Sequence, residues 1–261
     1  MKPTVKRVQE FYDANILTEW HRLECCPVEY AITTHLLQEH LPPPPARIID
    51  IGGGPGRYSI DLLKAGFQVS LVDLSPANIE FARLKAEESN LQFELLLSAD
   101  ASEPLPFSDE SFDAVLMMGP LYHLTTLEQR HQALKEASRI MKPNAPIFAA
   151  FITLFGAVQS IIINGPQNIE AEWETMQFGI NNPDLGFTEA YFARPAEIEN
   201  LMTSFHRIEM VGVEGCSNNF QQNFSNLDSN LWQKWLELNL QFGRSSTALE
   251  ASNHIVFIGK K

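Results

Sequence analysis

A cluster of glycines between two acidic residues is the stretch of this sequence best suited to binding a small ligand. Residues 50–56 read D-I-G-G-G-P-G, and Asp73 ends the next apolar segment. Glycine lets a backbone turn sharply and approach a ligand closely. An acid at the carboxyl end of a parallel strand stands where ligands bind in a doubly wound sheet, and its carboxylate can accept hydrogen bonds from a ribose. The pattern predicts a nucleoside-binding site.

The spacing of the glycines separates two classes of cofactor. A dinucleotide site needs G-x-G-x-x-G. Arg57 occupies the third glycine position when that pattern starts at Gly52, and Pro55 breaks it when it starts at Gly53. What remains is D-x-G-x-G-x-G over 50–56, which resembles motif I of the class I methyltransferases that use S-adenosylmethionine. S-adenosylmethionine presents an ammonium and a carboxylate where a dinucleotide presents its pyrophosphate, so the acid that opens the pattern favours S-adenosylmethionine.

Three further candidates follow predicted strands. Asp100 ends the third strand, where its carboxylate can accept the exocyclic amine of an adenine. Tyr122 and His123 follow the fourth strand, where a second substrate would lie. His123 titrates near neutrality and is the candidate general base; its alternative roles are a hydrogen bond to the cofactor carboxylate and a cap for the next helix. Tyr122 either orients the second substrate or packs.

Other positions leave two interpretations open. Arg57 either binds a carboxylate group or is a solvated side chain. Trp20 and Arg22 either line the substrate pocket or pack. Cys25 and Cys26 are adjacent, and free cysteine behaves as a small hydrophobe, so no metal site is predicted. A later loop-rich segment has residues that could cover a substrate: Tyr191, Phe192 and Arg194.

The composition limits the classes of function. Acidic residues outnumber Lys plus Arg by 32 to 19, giving a net charge of −13, and no basic cluster occurs. Because nucleic-acid binders gain affinity from a basic surface, nucleic acid is not an expected partner. The odd number of cysteines has no metal spacing and favours a reducing compartment. The N-terminus lacks the apolar segment of a signal peptide, so we expect a cytoplasmic protein without a membrane span.

The apolar periodicity alternates between strands and helices, which is typical of a mostly parallel sheet with helices on both faces. Two late strands separated by a helix favour an antiparallel edge. The first predicted strand begins at Ile48, and the others cover 67–72, 93–97, 112–118, 146–152, 207–213 and 254–258. Predicted helices cover 4–20, 27–40, 58–65, 76–88, 196–205 and 227–242, and a helical piece lies near 169–178. Another helix opens at a capping box over 125–128 and runs to 140.

Two interruptions of this alternation divide the chain. The run L-P-P-P-P follows the N-terminal helices, and a segment rich in Gly, Pro and Asn follows the fifth strand. We therefore expect a helical cap over 1–45, a cofactor-binding core over 46–152, an insertion over 153–195 and completion of the sheet over 196–261. Long loop segments in compact domains are usually functional, so the insertion is a candidate lid.

Four of these features, in their order and spacing, resemble the class I methyltransferases that use S-adenosylmethionine. They are DIGGGPG, the acid Asp73, the Ala99-Asp100-Ala101 step and FDAVLMMGPLYHL. The segment RIMKPNAPIF is similar to the R-x-L-K-P-G-G turn of the family, with Asn144 and Ala145 in place of the glycines. Asparagine tolerates the positive φ of such a turn nearly as well. The resemblance covers about 8–152.

The resemblance implies a Rossmann-like α/β fold with a seven-stranded, mostly parallel sheet whose last strand is antiparallel. It also implies roles for individual residues: glycines beneath the methionine part, Asp73 on the ribose, Leu74 on the adenine, and Tyr12 closing over the cofactor. The implied cofactor-binding residues are Tyr12, Asp50, Gly52, Gly54, Asp73, Leu74, Asp100, Ala101, Met118 and Gly119. His123 and Tyr122 remain the catalytic candidates.

The expected function is transfer of a methyl group from S-adenosylmethionine to a small-molecule acceptor, at oxygen or nitrogen in preference to sulfur or carbon. Two alternatives stay open: a non-catalytic S-adenosylmethionine-binding partner protein, and a methyltransferase acting on a macromolecule. The net charge of −13 counts against a nucleic-acid substrate. A monomer or a homodimer is expected.

Overall fold

Three helices precede the sheet in the computed structural model, which describes residues 3–215, 217, 224 and 227–261. They are α1 (Pro3–Ala14), α2 (Ile16–Cys25) and α3 (Pro27–His40). The single helix predicted over 4–20 is wrong, because the chain breaks at Asn15, whose φ of −121° and ψ of 23° lie outside the helical region. Its side-chain amide donates to the carbonyl of Phe11 at 2.7 Å, and such bonds compete with the helical ladder.

The middle of the chain builds five parallel strands with connecting helices, as the alternation predicts. The elements are β1 (Arg47–Ile51), α4 (Arg57–Lys64), β2 (Gln68–Asp73), α5 (Pro76–Glu88), β3 (Leu95–Ser98), β4 (Ala114–Met117), α6 (Pro120–His123), α7 (Leu127–Ile140) and β5 (Pro146–Ile152). Ser75 caps α5, and its hydroxyl accepts the amide of Asn78 at 3.0 Å. Asn144 adopts the expected positive φ, 63°.

The remainder completes the sheet. Its elements are α8 (Leu154–Asn164), α9 (Trp173–Phe178), α10 (Pro195–Leu201), β6 (His206–Gly212), α11 (Ser229–Gly243), α12 (Ser246–Ala251) and β7 (His254–Lys260). The strand order is β3-β2-β1-β4-β5-β7-β6, with β7 antiparallel to both of its neighbours. The predicted α/β fold, with seven strands and an antiparallel last strand, is therefore confirmed.

The central strands are buried on both faces, because alternate side chains point to opposite sides of the sheet. Ile48 and Leu116 join the apolar cluster on one side, and Ile49 and Val115 join the cluster on the other. Full burial of each such side chain stabilises the fold by about 1.5–3 kcal/mol. The two clusters make the edge at the carboxyl ends of the strands a rigid base for a site.

Two local predictions differ from the structure. The capping box of α7 is formed by Thr126 and Gln129, one residue later than predicted, and each backbone amide donates to the other side chain at 3.2 Å. The segment after β5 was expected to be loop-rich, yet α8 begins there because the Thr153 hydroxyl accepts the amide of Gly156 at 2.9 Å. The division of the chain at 45, 152 and 195 stays a prediction.

Within the described residues, no helix has the length and the hydropathy needed to span a bilayer. Cys25 and Cys26 are free thiols. Cys216, the third cysteine behind the expectation of a reducing compartment, lies outside the described residues.

Candidate active site

The glycine loop after β1 has a backbone that side chains would disrupt. Gly52, Gly54 and Gly56 have φ values of +70°, +57° and +83°, in the left-handed region that favours glycine. A Cβ on Gly53 would lie 2.4 Å from a carboxylate oxygen of Asp50, and one on Gly119 would lie 2.6 Å from the carbonyl oxygen of Gly52. The loop and the end of β4 are therefore packed backbone against backbone.

Asp50, at the carboxyl-terminal part of β1, is buried and only partly hydrogen-bonded. The Ser59 hydroxyl donates to its Oδ2 at 2.7 Å, whereas its Oδ1 has no partner. Burial raises the pKa of Asp50 to about 7. The hydrogen bond from Ser59 acts to lower this pKa, and the negative charge of Asp73 raises it slightly further. Asp50 lines the cavity above the loop, so its unpaired oxygen fits a cofactor that brings a hydrogen-bond donor or a positive charge.

Asp73, at the end of β2, orders the loop with the same carboxylate that was predicted to hold a ribose. Its Oδ2 accepts the amide of Gly54 at 2.8 Å, and its Oδ1 accepts the amide of Ser75 at 2.9 Å and the Asn78 side chain at 3.2 Å. Burial raises the pKa of Asp73, and these bonds act in the opposite direction by favouring the ionised form. An ionised carboxylate offers about four lone-pair positions, so Oδ2 keeps capacity for a ligand hydroxyl.

All of the predicted cofactor-binding and catalytic residues line one cavity between α1 and the carboxyl ends of the strands. The sheet order places the end of β3 beside β2, then β1, then β4. The adenine, ribose and methionine positions predicted from the sequence therefore follow one another along this edge. The residues that the structure brings together here are Tyr12, Asp50, Gly52, Gly54, Asp73, Leu74, Asp100, Ala101, Met118, Gly119, Tyr122 and His123. Their individual roles stay predictions.

Helix α1 covers this cavity and is tied to three parts of the molecule. Tyr12 contacts His123 through Oη and Nε2 at 2.6 Å. The hydroxyl of Ser75 donates to Asp13, and Arg7 forms an ion pair with Glu189 at 3.3 Å. The helix therefore bridges the end of β2, the end of α6 and the segment before α10.

The protonation of His123 follows from its two neighbours. Its Nδ1 lies 2.8 Å from the carbonyl oxygen of Glu189, which can only accept, so Nδ1 carries the proton and Nε2 accepts the hydroxyl of Tyr12. Burial lowers the pKa of His123 to about 4, although the bond to Glu189 acts the other way. Burial also raises the pKa of Tyr12 well above its usual value. His123 is therefore neutral at pH 7, and its free nitrogen already faces a hydroxyl donor.

Several sequence candidates lie away from the cavity. Tyr191 stacks on Arg130, whose guanidinium carbon is 4.1 Å from the ring centroid, and neither Phe192 nor Arg194 is among the residues that line the cavity. A lid role for the insertion over 153–195, and for these three side chains in it, stays a prediction. Glu189 from the same segment instead orients His123.

Two arginines lie at the cavity wall in different environments. Arg57 lies between aromatic rings, with its guanidinium carbon 5.0 Å from the centroid of Trp20 and 5.4 Å from that of Tyr30. Arg22 instead pairs with Glu19 and Glu29. Sequence reasoning missed Glu19 as a cavity residue. The predicted helix ended at residue 20, before Arg22, so the spacing of three between these residues was not recognised as the signal for an ion pair on one helix.

Two groups of side chains among the described residues have the composition of metal ligands. They are Glu29 with Glu214 and His254, and Glu39 with His40 and Glu209. In the first group the Glu29 carboxylate already accepts two bonds from Arg22, and Glu214 accepts the imidazole and the amide of His254. In the second, Arg244 bonds to both glutamates. The carboxylates are therefore already engaged in ion pairs.

A family of methyltransferase domains matches residues 48–144. The ubiquinone/menaquinone biosynthesis C-methyltransferase of Rhodopseudomonas palustris is 32% identical over 104 residues, which are 39% of this chain and 40% of that protein. The human probable tRNA methyltransferase 9B is 34% identical over 106 residues, which are 40% of this chain and 21% of that protein. The chain thus spans less than half the length of these curated relatives.

The likeness in fold extends over most of the chain. The structure of an S-adenosylmethionine-dependent methyltransferase from Methanosarcina mazei superimposes with a TM-score of 0.59 at 21% identity, and the alignment covers 87% of this chain and 96% of that one. The elements outside 48–144 therefore share the architecture of that structure.

Proposed function

We propose that this protein transfers a methyl group from S-adenosylmethionine to a small molecule, because residues 48–144 match a family of methyltransferase domains and the motifs of the chain resemble those of class I methyltransferases. The observation that carries the proposal is one cavity along the strand ends, which the glycine loop, Asp73 and Asp100 line together. Ligands of doubly wound sheets bind at this edge.

The cavity residues have complementary tasks in this proposal. Asp100 and Ala101 hold the adenine, and Oδ2 of Asp73 accepts a ribose hydroxyl. The backbone of the glycine loop allows close approach of the methionine part. S-adenosylmethionine, when bound, supplies a methyl carbon activated by a positively charged sulfur. The chain then has to orient the acceptor for in-line attack, and proximity and alignment can supply about 7–11 kcal/mol of the barrier reduction.

A small acceptor with an O–H or N–H group fits the surroundings of Tyr12. Because Tyr12 donates its hydroxyl proton to His123, its oxygen lone pairs remain for a donor in the cavity. Sulfur and carbon acceptors gain less from such a group, since their hydrogens are weak donors. The cover formed by α1 and the net charge of −13 favour a small molecule over a nucleic acid.

His123 acts in this proposal through Tyr12 and not by direct contact with the acceptor. A base with a pKa of about 4 is too weak to deprotonate an alcohol or an amine before attack. A neutral amine attacks through its lone pair and forms an ammonium, which releases its proton to water after the transfer, so a neutral amine is the best match for this pair.

The first test is calorimetric titration of the full chain with S-adenosylmethionine, S-adenosylhomocysteine and NAD. Binding of the two adenosyl ligands and no response to NAD is the expected result. The second test follows transfer of a labelled methyl group to a panel of amines, phenols, carbon acids and tRNA. Transfer to tRNA alone would overturn the small-molecule acceptor, and tight binding without transfer to any acceptor would favour a non-catalytic binding protein.

A further inference from the structure

We propose that the Glu19–Arg22 pair on α2 binds an α-amino-carboxylate, the group at the methionine end of the cofactor. The inference rests on the proposed function and assigns a subsite within it. Both side chains line the cavity, and Nε of Arg22 donates to Oε1 of Glu19 at 2.9 Å. Both residues precede the segment 48–144 that matches the family, so the match assigns them no role.

Each member of the Glu19–Arg22 pair retains one polar atom for a ligand. Nη1 of Arg22 donates to both carboxylate oxygens of Glu29, at 2.9 and 2.8 Å. Among the hydrogen bonds of the described residues, none engages Nη2 of Arg22 or Oε2 of Glu19. The pair therefore presents one cationic donor and one anionic acceptor next to each other.

The position of the pair along the sheet matches the methionine end. Tyr58 and Tyr122 line the same cavity as Glu19 and Arg22. Tyr58 follows the glycine loop after β1, and Tyr122 follows β4. The predicted adenine and ribose positions lie at β3 and β2, on the other side of β1 in the strand order. A ligand laid along this edge would bring its amino-acid end to the Glu19–Arg22 pair.

The local charge favours a zwitterion over a simple anion. Arg22 carries one positive charge and contacts two carboxylates, Glu19 and Glu29. A ligand with only a carboxylate would be attracted by the guanidinium of Arg22 but repelled by the carboxylates of Glu19 and Glu29. An α-amino-carboxylate instead places its ammonium against Glu19. Charge-assisted bonds of this kind are about twice as strong as neutral ones.

A buried ionic network holds Arg22 in place. Glu29 is 6% exposed, and its Oε2 lies 3.8 Å from Nδ1 of His254, which in turn bonds to the buried Glu214. The opposite charges of Glu214 and Glu29 raise the pKa of His254 to about 9 although burial lowers it. The network thus joins α2, α3, the residues after β6 and the start of β7, and a guanidinium fixed in this way loses little entropy when it binds a ligand.

The test compares two ligands by calorimetry on the full chain. S-adenosylhomocysteine carries the amino-carboxylate, and 5′-deoxy-5′-methylthioadenosine lacks it but keeps the adenosine and the thioether. Arg22→Lys retains a positive charge for the buried Glu29, and Glu19→Gln retains the shape of its side chain. We expect each variant to lower the affinity for S-adenosylhomocysteine by about tenfold or more. The affinity for methylthioadenosine should stay within about twofold of that of the unmodified chain.

Arg83→Lys is the matched control, because Arg83 also pairs with two glutamates but lies on the exposed face of α5. An equal loss of affinity for both ligands, or an unchanged affinity for both, would overturn the assignment of the Glu19–Arg22 pair. Glycine or L-methionine could instead bind to protein that is already saturated with S-adenosylhomocysteine, and this binding could be lost in Arg22→Lys. That result would assign the pair to an amino-acid acceptor and would also overturn the proposed cofactor subsite. Failure of the unmodified chain to bind S-adenosylhomocysteine would instead contradict the proposed function.

Discussion

The carboxylate of Asp73 accepts three hydrogen bonds from the chain itself, from Gly54, Ser75 and Asn78. One of its roughly four lone-pair positions is then left for a ligand. The sequence predicts contacts to both ribose hydroxyls, whereas this geometry favours one direct bond at Oδ2. Asp73 therefore organises the loop, and its contact with the ribose of the proposed cofactor stays a prediction.

Replacing Asp73 by Asn tests both tasks of this carboxylate. Loss of one charge-assisted bond to the ligand costs about 1.5–3 kcal/mol, so we expect S-adenosylhomocysteine affinity to fall by about tenfold to a hundredfold in calorimetry. Asp109→Asn is the control, since Asp109 is exposed and pairs with Arg139. Equal affinity in Asp73→Asn and the unmodified chain would exclude the ribose contact.

Gly54 is the loop position at which conformation and ligand approach can be separated. Its φ is +57° and a Cβ would meet only Asn78, at 3.9 Å, whereas Gly66 has a φ of +90° and a Cβ there would meet only Pro44, at 3.8 Å. Alanine in the left-handed region costs roughly 1–2 kcal/mol, so both Gly54→Ala and Gly66→Ala should lower the free energy of unfolding in urea. Only Gly54→Ala should also lower the affinity for S-adenosylhomocysteine in calorimetry. An unchanged affinity in this variant would show that the ligand does not approach the backbone of Gly54.

At the scale of elements, α1 determines access to the cavity. Its ties are individually small: the Tyr12–His123 bond, the Ser75–Asp13 bond, the Arg7–Glu189 ion pair and the edge contact of Phe11 with Phe187 at 5.7 Å. Helices held by few buried contacts open more readily than core strands. The parallel strands below are buried on both faces, so we expect α1 to open more readily than they do.

Tyr12→Phe should loosen α1 without disturbing the sheet. The variant keeps the ring and removes the hydroxyl that bonds to His123, at a cost of about 0.5–1.5 kcal/mol. Amide hydrogen exchange in α1 should then become about two- to tenfold faster, with no change in β1 and β4. Tyr191→Phe is the control, because Tyr191 lies outside the cavity beside Arg130. Unchanged exchange in α1 would mean that the Tyr12–His123 bond does not hold the helix.

At the scale of the molecule, the buried ionic network links the N-terminal helices to the last strand. Arg22 and Glu29 come from α2 and α3, and His254 opens β7 beside Glu214. Strand β7, which lies between β5 and β6, is thereby coupled to the wall of the cavity. Since its charges are buried, the network makes the stability of the whole chain depend on pH.

The direction of that dependence follows from His254. Its pKa is about 9 in the folded chain and about 6.5 when unfolded, so the folded state binds the extra proton between these values. This contribution is complete below about pH 6.5 and is lost as the pH rises through about 9. We expect urea unfolding to show a fall of roughly 1–3 kcal/mol between pH 7 and pH 9.5.

His254→Gln should flatten this slope, even though it lowers the stability at pH 7. His35→Gln is the control, since His35 is an exposed histidine paired with Glu39 at 3.5 Å. The measurement starts at pH 7 because Asp50 and His123, with pKa values of about 7 and about 4, change the stability in opposite directions at lower pH. An unchanged slope in His254→Gln would remove this histidine as its source.

The sequence by itself determined the sheet of seven strands and the residues of the cofactor cavity, because both depend on local signals. The glycine loop needs positive φ at Gly52 and Gly54, and acids that end parallel strands must meet at one edge of the sheet. Tyr12 was placed over this edge by the family resemblance, and the structure brings it to the same cavity. The capping box of α7 was one residue off, since Thr125 and Thr126 offer the same hydroxyl.

Only the tertiary structure decided which side chains meet across the cavity. The Tyr12–His123 bond joins residues 111 positions apart, and the Glu189 carbonyl that sets the tautomer of His123 comes from a segment without a motif. The same holds for Arg22, Glu29 and His254, which meet only when the last strand inserts beside β5. Pairing over such distances depends on packing and burial, which have no local pattern in the sequence. Burial also set the pKa of His123 to about 4, and with it the kind of acceptor proposed here.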